Sequence, residues 1–301
     1  MGLLATSFLV GFIVPPPDIR PGVLEVTGID VGQGDSTLLV SPSGKKILVD
    51  AGGPLGGQHS DFDFGEEVVS SYLWTRGFAR LDAVVVSHGH SDHIGGMPAI
   101  LNNFHPRELW VGEVPTGSAL QKLLDQARSL GVRVVSLHAG DTFTFGDLEV
   151  RVFWPPIDAI PGMEPKNNDS MVMTFRYGDS GALLQGDAEK AVEQQVSREH
   201  PGADLWKIAH NGSLTSTTED MLTAVRPKFA FISVGARNTF GHPRPEILER
   251  LAKAKVATYR TDIDGAVTFY LADTPLHLGW SRPRCFDLRS LIQGGVALLL
   301  D

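Results

Sequence analysis

The chain has 301 residues, of which 42% are hydrophobic and 20% are charged, and its formal net charge at pH 7 is −9. This composition is typical of a globular protein with a sizeable core. The acidic balance argues against a general nucleic-acid binder, though not against a local basic groove or a bound metal. The single cysteine, Cys285, excludes an internal disulfide and a cysteine-based zinc cluster.

The first 22 residues form a hydrophobic segment and a proline-rich linker. Residues 2–14 carry no charge, three prolines follow at 15–17, and no lysine or arginine precedes Arg20. The segment is short for a membrane span, and a signal peptide would begin with basic residues. A clipped membrane helix, a hydrophobic tether and a loosely docked tail all fit this pattern.

From residue 23 onward, short apolar runs alternate with turns rich in glycine, aspartate and proline. Other segments between these turns have apolar residues at helical spacing. In the first half, we predict strands at residues 23–31, 36–41, 45–53, 81–87, 108–114 and 133–137, with helices at 65–76, 92–103 and near 117–130. In the second half, we predict strand-turn-strand units at 141–156 and 170–187, strands at 205–210, 228–235, 256–261 and 265–271, and helices at 188–198, near 216–225 and 243–254. These two passes predict one domain, residues 23–280, with two stacked mixed β-sheets and helices outside them. The pattern assigns no role to the tail, residues 281–301.

A cluster of three histidines and one aspartate follows an apolar strand in the stretch VVVSHGHSDHIGG, residues 84–96. His88 and His90 are two residues apart, so in extended backbone both side chains project to the same side. Asp92 and His93 open the next helix and can turn toward a neighbouring point. The stretch can therefore present two pairs of ligands to two metal ions about 3.5–4 Å apart, as in two-metal hydrolases. The alternative is a polar turn in which Asp92 caps the helix, and the specific spacing disfavours it.

Two further candidate ligands lie at the ends of later apolar strands. Asp187 follows Leu-Leu-Gln-Gly, where a carboxylate could bridge two metals or simply cap the helix that follows. His210 ends the run LWKIAH. A lone histidine at such a position is usually structural, so the residues alone leave its role undecided.

The pattern H-x-H-x-D-H after a strand resembles the signature of the metallo-β-lactamase superfamily. Seven blocks in order make the chain similar to the hydrolase-like domain of ComEC-type competence proteins: DVGQGDSTLL (30–39), ILVDAGG (47–53), HSDHIGG (90–96), NNDSMVM (167–173), LLQGDAE (183–189), KIAHNGSLTS (207–216) and ISVGARNTFGHP (232–243). The resemblance implies an α/β fold of the αββα type and a phosphodiester-directed activity, such as that of a nuclease. It also implies a bacterial protein at the membrane or its extracytoplasmic face, with single-stranded DNA, a membrane channel or other competence proteins as partners.

The resemblance also implies how two divalent ions, zinc or manganese, would be held. One ion would have four protein ligands: Asp92, His93, Asp187 and His210. The other ion would have three protein ligands, His88, His90 and Asp187. It would also have an open side, and it would bind more weakly. Two positions depart from the superfamily pattern, because Asn211 replaces a second histidine and Asn168 lies in a block where many members have a histidine. Because Asn211 has no imidazole, it stays open whether this chain fills the role of the second histidine.

Several residues are candidates for roles beside the metals, each with a structural alternative. Asp92 could accept or steer the proton of the attacking water, and His242 could contact phosphate or act as a general acid, unless it is a packed loop histidine. Asp50 matches an aspartate that supports the metal loop, or it belongs to an ordinary turn. Asp35 could orient solvent or substrate, or belong to a tight turn.

The loops after the later strands carry further polar candidates. Ser213 and Ser216, together with Thr215, could bind phosphate at a helix N-terminus or act as N-caps. Asn238 belongs to a block that matches the family. Lys207 and Arg237 could offset substrate charge or be ordinary surface residues.

These observations support three classes of function. The first is metal-assisted hydrolysis of a phosphodiester, for which aromatic stacking residues are expected near the site. Trp206 and Phe240 flank it in sequence, and both could instead belong to the core. The second is hydrolysis of a small ester, lactam or thioester. The third is a non-catalytic module of the DNA-uptake machinery.

Overall fold

The computed structural model describes residues 17–55, 62–116, 118–273 and 279–281. The predicted hydrophobic segment at 2–14 and the tail from residue 282 onward lie outside the described residues. Within the described ranges, no helix combines the length and the apolar character that crossing a membrane requires.

The strands form two sheets. The first half of the chain contributes β1 (Val23–Gly28), β2 (Thr37–Val40), β3 (Lys46–Val49), β4 (Ala83–Val86), β5 (Glu108–Val111) and β6 (Arg133–Ser136) to the first sheet. The second sheet contains β7 (Thr142–Phe145), β8 (Leu148–Trp154), β9 (Val172–Tyr177), β10 (Ser180–Leu184), β11 (Leu205–Lys207), β12 (Phe229–Ile232) and β13 (Ala257–Arg260). Finally, β14 (Val267–Ala272) and β15 (Gly279–Ser281) return to the first sheet.

Both sheets are mixed, as the sequence predicted. The first has the order β15-β14-β1-β2-β3-β4-β5-β6, in which β3 to β6 are parallel and the other neighbours are antiparallel. The second has the order β13-β12-β11-β10-β9-β8-β7, in which β10 to β13 are parallel. Because parallel neighbours share an edge at their carboxyl ends, each sheet presents one edge at which loops from several strands meet.

The helices cover the outer faces of the sheets. A π-helical segment, Gly65–Ser70, continues into α1 (Ser71–Thr75), and the other helices are α2 (Ser91–Ile94), α3 (Met97–Phe104), α4 (Ala119–Ser129), α5 (Lys190–Val196), α6 (Glu219–Val225), α7 (Pro245–Lys253) and α8 (Thr261–Asp264). The apolar core between the sheets includes Val85 from the first and Phe231 from the second. A second core joins the first sheet to α1, α3 and α4, and a third joins the second sheet to α5, α6 and α7. The predicted sandwich with outer helices is therefore confirmed.

The helix predicted at 92–103 is divided at Gly95 and Gly96. The Gly96 N–H donates to Gly52 O at 3.0 Å, and the Asp92 carbonyl accepts from Asp35 N at 3.2 Å, so both groups bond to neighbouring loops instead of to one another. A Cβ on Gly95 would lie 2.8 Å from Gly53 Cα. The two loops therefore pack backbone against backbone, and this contact fixes the start of α2, which carries Asp92.

We predict that Asp82→Asn lowers the free energy of unfolding by about 1 kcal/mol at pH 7. Asp82 accepts from Lys45 Nζ at 2.9 Å and from Lys46 N at 3.0 Å. Partial burial alone would raise the pKa of Asp82, but these hydrogen bonds hold it below its ordinary value. Its contribution is therefore present above the ordinary aspartate pKa and is lost as the pH falls through the folded value.

Urea unfolding at pH 7 and at successively lower pH checks this prediction. The difference between wild type and Asp82→Asn should shrink with falling pH. The exposed Asp158 is the matched control, and Asp158→Asn should change stability little at any of these pH values. A difference for Asp82→Asn that is independent of pH would contradict the prediction.

Candidate metal centre

The histidine loop, residues 87–93, leaves the buried strand β4 and enters α2. His90 has extended backbone, with φ −72° and ψ 149°, directly before α2. The structure places His88 Nε2 at 2.9 Å from His90 Nδ1. Nitrogen ligands about 2.0–2.1 Å from one tetrahedral zinc ion have a comparable spacing, so this pair could hold one ion.

A second group of ligand atoms surrounds Asp187. Asp187 Oδ2 lies 3.4 Å from His93 Nε2 and 4.0 Å from His210 Nε2. His93 Nε2 lies 4.0 Å from Asp92 Oδ2. The rings of His88 and His93 are 4.2 Å apart between centroids, and the ligand atoms of His88, His93 and Asp187 lie within 4.8 Å of one another. All six residues that the sequence proposed as ligands are thus brought into one cluster.

The buried polar atoms of this cluster fit a divalent cation. His93 Nε2 and Asp187 Oδ1 are buried and have no hydrogen-bond partner. A buried unsatisfied polar atom costs about 1–3 kcal/mol, so a pair of them facing a histidine and carboxylate cluster calls for a ligand. Imidazole nitrogens and carboxylate oxygens suit zinc and manganese alike.

The charges of the centre are tightly linked. Burial alone would lower the pKa of His93, but Asp187 and Asp50 hold it well above its ordinary value. Burial would raise the pKa of Asp187, whereas the charge of His93 holds it well below its ordinary value. Burial and the neighbouring His93 keep the pKa of His88 well below its ordinary value. A proton on His93 and a metal ion therefore compete for the same nitrogen.

Asp50 supports the loop from behind. Its carboxylate accepts from the Ser87 backbone N–H at 2.8 Å, from Ser87 Oγ at 2.6 Å and from His93 Nδ1 at 2.8 Å. A hydrogen bond at one ring nitrogen sets which nitrogen faces a metal. Ser87 was missed by the sequence analysis, and its position directly before the histidine cluster was the available signal.

Lys207 is buried, which contradicts both interpretations made from the sequence. It is 2% exposed, and its Nζ donates to Asp35 Oδ2 and, at 3.2 Å, to Gly186 O. Lys207 lies on β11 with its side chain turned into the protein, so it balances a buried carboxylate instead of substrate charge. Asp35 in turn lies 3.8 Å from His93 Nδ1, and burial raises its pKa against the opposing effect of Lys207.

The asparagines proposed beside the metals hold loops together. Asn211 Oδ1 accepts from Gln33 Nε2 at 2.7 Å, and Asn211 Nδ2 donates to Ser233 O at 2.8 Å. Asn168 Oδ1 accepts from Glu189 N at 3.0 Å, two residues after Asp187. These side chains therefore connect loops that surround the ligands.

The serines after His210 are not helix N-caps, so that interpretation was wrong, although Ser213 is the C-cap of a short 3₁₀ segment, His210–Gly212. Thr218 is the N-cap of α6 and accepts from Met221 N. Ser216 Oγ donates to Ala209 O at 3.2 Å, and Ser213 Oγ lies 3.0 Å from Thr215 Oγ1. Their hydrogen bonds close the loop that follows β11.

His210 has two polar neighbours, one of which the sequence analysis missed. Its Nδ1 lies 3.1 Å from Thr215 Oγ1 and 3.6 Å from Glu189 Oε1. The missed residue is Glu189, and its position two residues after Asp187 was the only indication in the sequence that it would lie near His210. Because Nδ1 of His210 faces these two groups, its Nε2 faces Asp187.

His242 lies beside His210, with the ring centroids 5.8 Å apart in an edge-to-face arrangement. Its Nδ1 is buried and has no hydrogen-bond partner. Burial, His210 and Arg244 lower the pKa of His242, so it is neutral at neutral pH. Asn238 closes the same loop by bonding to the backbone of His242.

A cavity of about 1060 Å³ opens on the centre. Four candidate ligands line it: His90, Asp92, Asp187 and His210. Its lining also includes Lys122 of α4, Met163 and Phe240. Of the two aromatic residues that flank the site in sequence, Trp206 belongs to the core and Phe240 is exposed.

We predict that Asp187→Ala prevents binding of both ions, whereas His90→Ala removes one. Asp187 lies within reach of both ligand groups, and His90 belongs to one of them. Elemental analysis of protein loaded with manganese or zinc and then desalted measures the stoichiometry. The exposed His200 provides the control, and His200→Asn should bind as much metal as wild type. Equal metal content in wild type and Asp187→Ala would refute the assignment.

Known proteins resemble this chain in sequence. Residues 29–236 match the metallo-beta-lactamase superfamily. ComE operon protein 3 of Bacillus subtilis is 34% identical over 283 residues, and Competence protein ComA of Neisseria gonorrhoeae is 29% identical over 280 residues. Each alignment covers 89% of this chain and 35% of the relative, so the chain spans only that share of their length. Exodeoxyribonuclease WalJ of Streptococcus pneumoniae is 30% identical over 190 residues, which are 59% of this chain and 65% of WalJ.

The fold is also found among solved structures. CmlA of Streptomyces venezuelae, described as a diiron beta-hydroxylase, aligns with a TM-score of 0.55 at 15% identity over 85% of this chain and 55% of CmlA. At this identity the likeness concerns the fold alone. The family match covers more than half of the chain and includes the histidine loop, Asp187 and His210. The chain therefore belongs to the metallo-β-lactamase superfamily and is related to its ComEC-type competence proteins.

Proposed function

We propose that this domain is a metal-dependent phosphodiesterase that cleaves single-stranded DNA during bacterial DNA uptake. The observation that carries the proposal is the cluster around Asp187, which lines the cavity and in which the buried Asp187 Oδ1 and His93 Nε2 have no hydrogen-bond partner. The names of the relatives support the choice of substrate and setting, since they include a competence protein and an exodeoxyribonuclease.

We assign the ligand roles as the sequence suggested. Asp92, His93, Asp187 and His210 would hold one divalent ion, and His88, His90 and Asp187 would hold the other. Bound at these positions, two divalent ions would polarise the phosphate and acidify water. The structure supports the assignment through the short distances among the ligand atoms and through the buried atoms that lack partners.

The chain's own groups would move protons and bind the substrate. The Asp92 side chain is partly exposed and lines the cavity, so its carboxylate can accept or steer a proton from the attacking water. His242 is neutral at neutral pH, so its imidazole can donate one hydrogen bond to the leaving oxygen without carrying a charge. Lys122 lies on the cavity wall, where it can contact a backbone phosphate.

The setting of the reaction forms the second part of the proposal. We infer that the domain acts at the membrane or its extracytoplasmic face, beside a DNA channel or other competence proteins. The support is the similarity to competence proteins over 89% of the chain. The remaining length of those relatives would supply such partners.

We predict that the protein loaded with manganese or zinc cleaves single-stranded DNA and bis-p-nitrophenyl phosphate, and that a chelator abolishes both activities. Asp187→Ala and His88→Ala should each lower the rate at least about 100-fold, because loss of a metal removes several kcal/mol of transition-state stabilisation. Gel analysis of a labelled oligonucleotide and absorbance of nitrophenolate measure the two reactions. His200→Asn again serves as the control and should cleave at the wild-type rate.

Other outcomes would select another function. Hydrolysis of nitrocefin by a preparation that leaves DNA and the phosphodiester intact would indicate a small-molecule hydrolase. A fully metal-loaded protein that cleaves none of the three substrates would indicate a non-catalytic module. Cleavage of DNA by Asp187→Ala at the wild-type rate would show that a contaminating nuclease is responsible.

A further inference from the structure

The loop after β12 presents an aromatic ring at the cavity. Phe240 is 46% exposed and lines the same cavity as Asp187 and His210. A large apolar side chain in such a position is usually buried against the core, as Trp206 is. Its exposure beside the candidate metal centre suggests contact with a ligand.

The loop holds this ring in a defined place. Asn238 Nδ2 donates to His242 O at 2.7 Å, and His242 N donates to Asn238 Oδ1 at 3.0 Å. Asn238 Nδ2 also donates to Gly235 O at 3.0 Å. Gly241 has φ +67°, a conformation that glycine adopts without strain and that closes the turn. Because both ends of the turn are tied, the backbone that carries Phe240 needs little further ordering when a ligand binds.

Three rings connect the centre with the cavity wall. His210, a candidate ligand, meets His242 edge to face at 5.8 Å between centroids. His242 stacks on Phe240 at 5.8 Å, with 26° between the ring planes. At this distance the two rings are offset, so Phe240 contacts His242 and still has an exposed surface in the lining of the cavity.

The chemistry of the cavity wall suits a nucleotide. An aromatic face binds any nucleobase by stacking, because every base has a π face. The same cavity is lined by Lys122, a cation that suits a phosphate, and by the apolar residue Met163. The cavity wall therefore offers one strand both a surface for stacking and a cation, beside the candidate metal centre.

We infer that Phe240 stacks on a nucleobase next to the scissile phosphate and so selects strands with unpaired bases. This inference rests on the proposed phosphodiesterase function and adds a residue that recognises the substrate. A base inside a duplex does not offer its face, so the stack would favour single strands and frayed ends. Phe240 is a binding residue in this scheme, and it takes no part in proton transfer.

The test compares two oligomers of equal length with metal-loaded protein: oligothymidylate and an oligomer of tetrahydrofuran abasic units. Phe240→Ala should raise the KM for oligothymidylate about 5- to 100-fold and leave kcat nearly unchanged, because one base–aromatic stack is lost. It should not change the KM for the abasic oligomer. Phe240→Trp should restore binding of oligothymidylate. Leu214, 40% exposed but outside the cavity wall, is the control, and Leu214→Ala should behave as wild type.

Three results would overturn the inference. An equal effect of Phe240→Ala on both oligomers would show that the ring only shapes the loop. An unchanged KM would show that the ring is not used, and failure of Phe240→Trp to restore binding would argue against stacking.

If wild type cleaves neither oligomer, the phosphodiesterase proposal fails separately. The same variants are then compared by fluorescence anisotropy of the labelled oligomers, and a loss of affinity that requires bases still supports stacking, whereas equal affinities refute it.

Discussion

The hydrogen bonds of the Asp50 carboxylate are the interaction on which the geometry of the histidine loop depends. This one group, directly after β3, accepts from the backbone and the hydroxyl of Ser87 and from His93 Nδ1. It thereby fixes the beginning of the loop and the orientation of an imidazole near its end. Because Nδ1 of His93 is engaged, Nε2 faces Asp187. Asp50 has φ +59°, a conformation that aspartate tolerates better than most residues.

The rest of the centre is assembled by strand topology. Asp187 follows β10 and His210 follows β11, and these two strands are parallel neighbours. Their carboxyl ends meet the end of β4 from the other sheet, where the histidine loop begins. Residues far apart in the chain are thus brought within 4.0 Å of Asp187, with Asp187 and His210 three positions after their strands and His93 seven positions after β4.

Much of this arrangement could be predicted from the sequence, because it depends on local rules. The period of two along an extended chain predicted that His88 and His90 share a side, and apolar runs marked the strands whose ends carry Asp187 and His210. The family resemblance implied the same αββα layering. Side-chain periodicity and turn residues together therefore account for the predicted sandwich.

The remaining features depend on contacts between distant residues. The pairing of Lys207 with Asp35 joins residues 172 positions apart, so β11 alone gave no sign that its lysine is satisfied inside the protein. The helix after the histidine loop divides because Gly96 bonds to Gly52 O, a partner on another loop. Likewise, apolar character alone does not distinguish a core ring from an exposed one, and Trp206 and Phe240 proved to differ in this respect.

The buried pair of Lys207 and Asp35 has a consequence for the electrostatics of anion binding. Five carboxylates lie at or directly behind the centre, those of Asp35, Asp50, Asp92, Asp187 and Glu189, and the buried Lys207 ammonium lies among them. With neutral imidazoles, one divalent ion would leave this group of charges negative, whereas two would bring it to neutrality. The local repulsion of an anion would then be removed only on full occupancy, so metal loading would decide whether a polyanion can approach this point of an acidic domain.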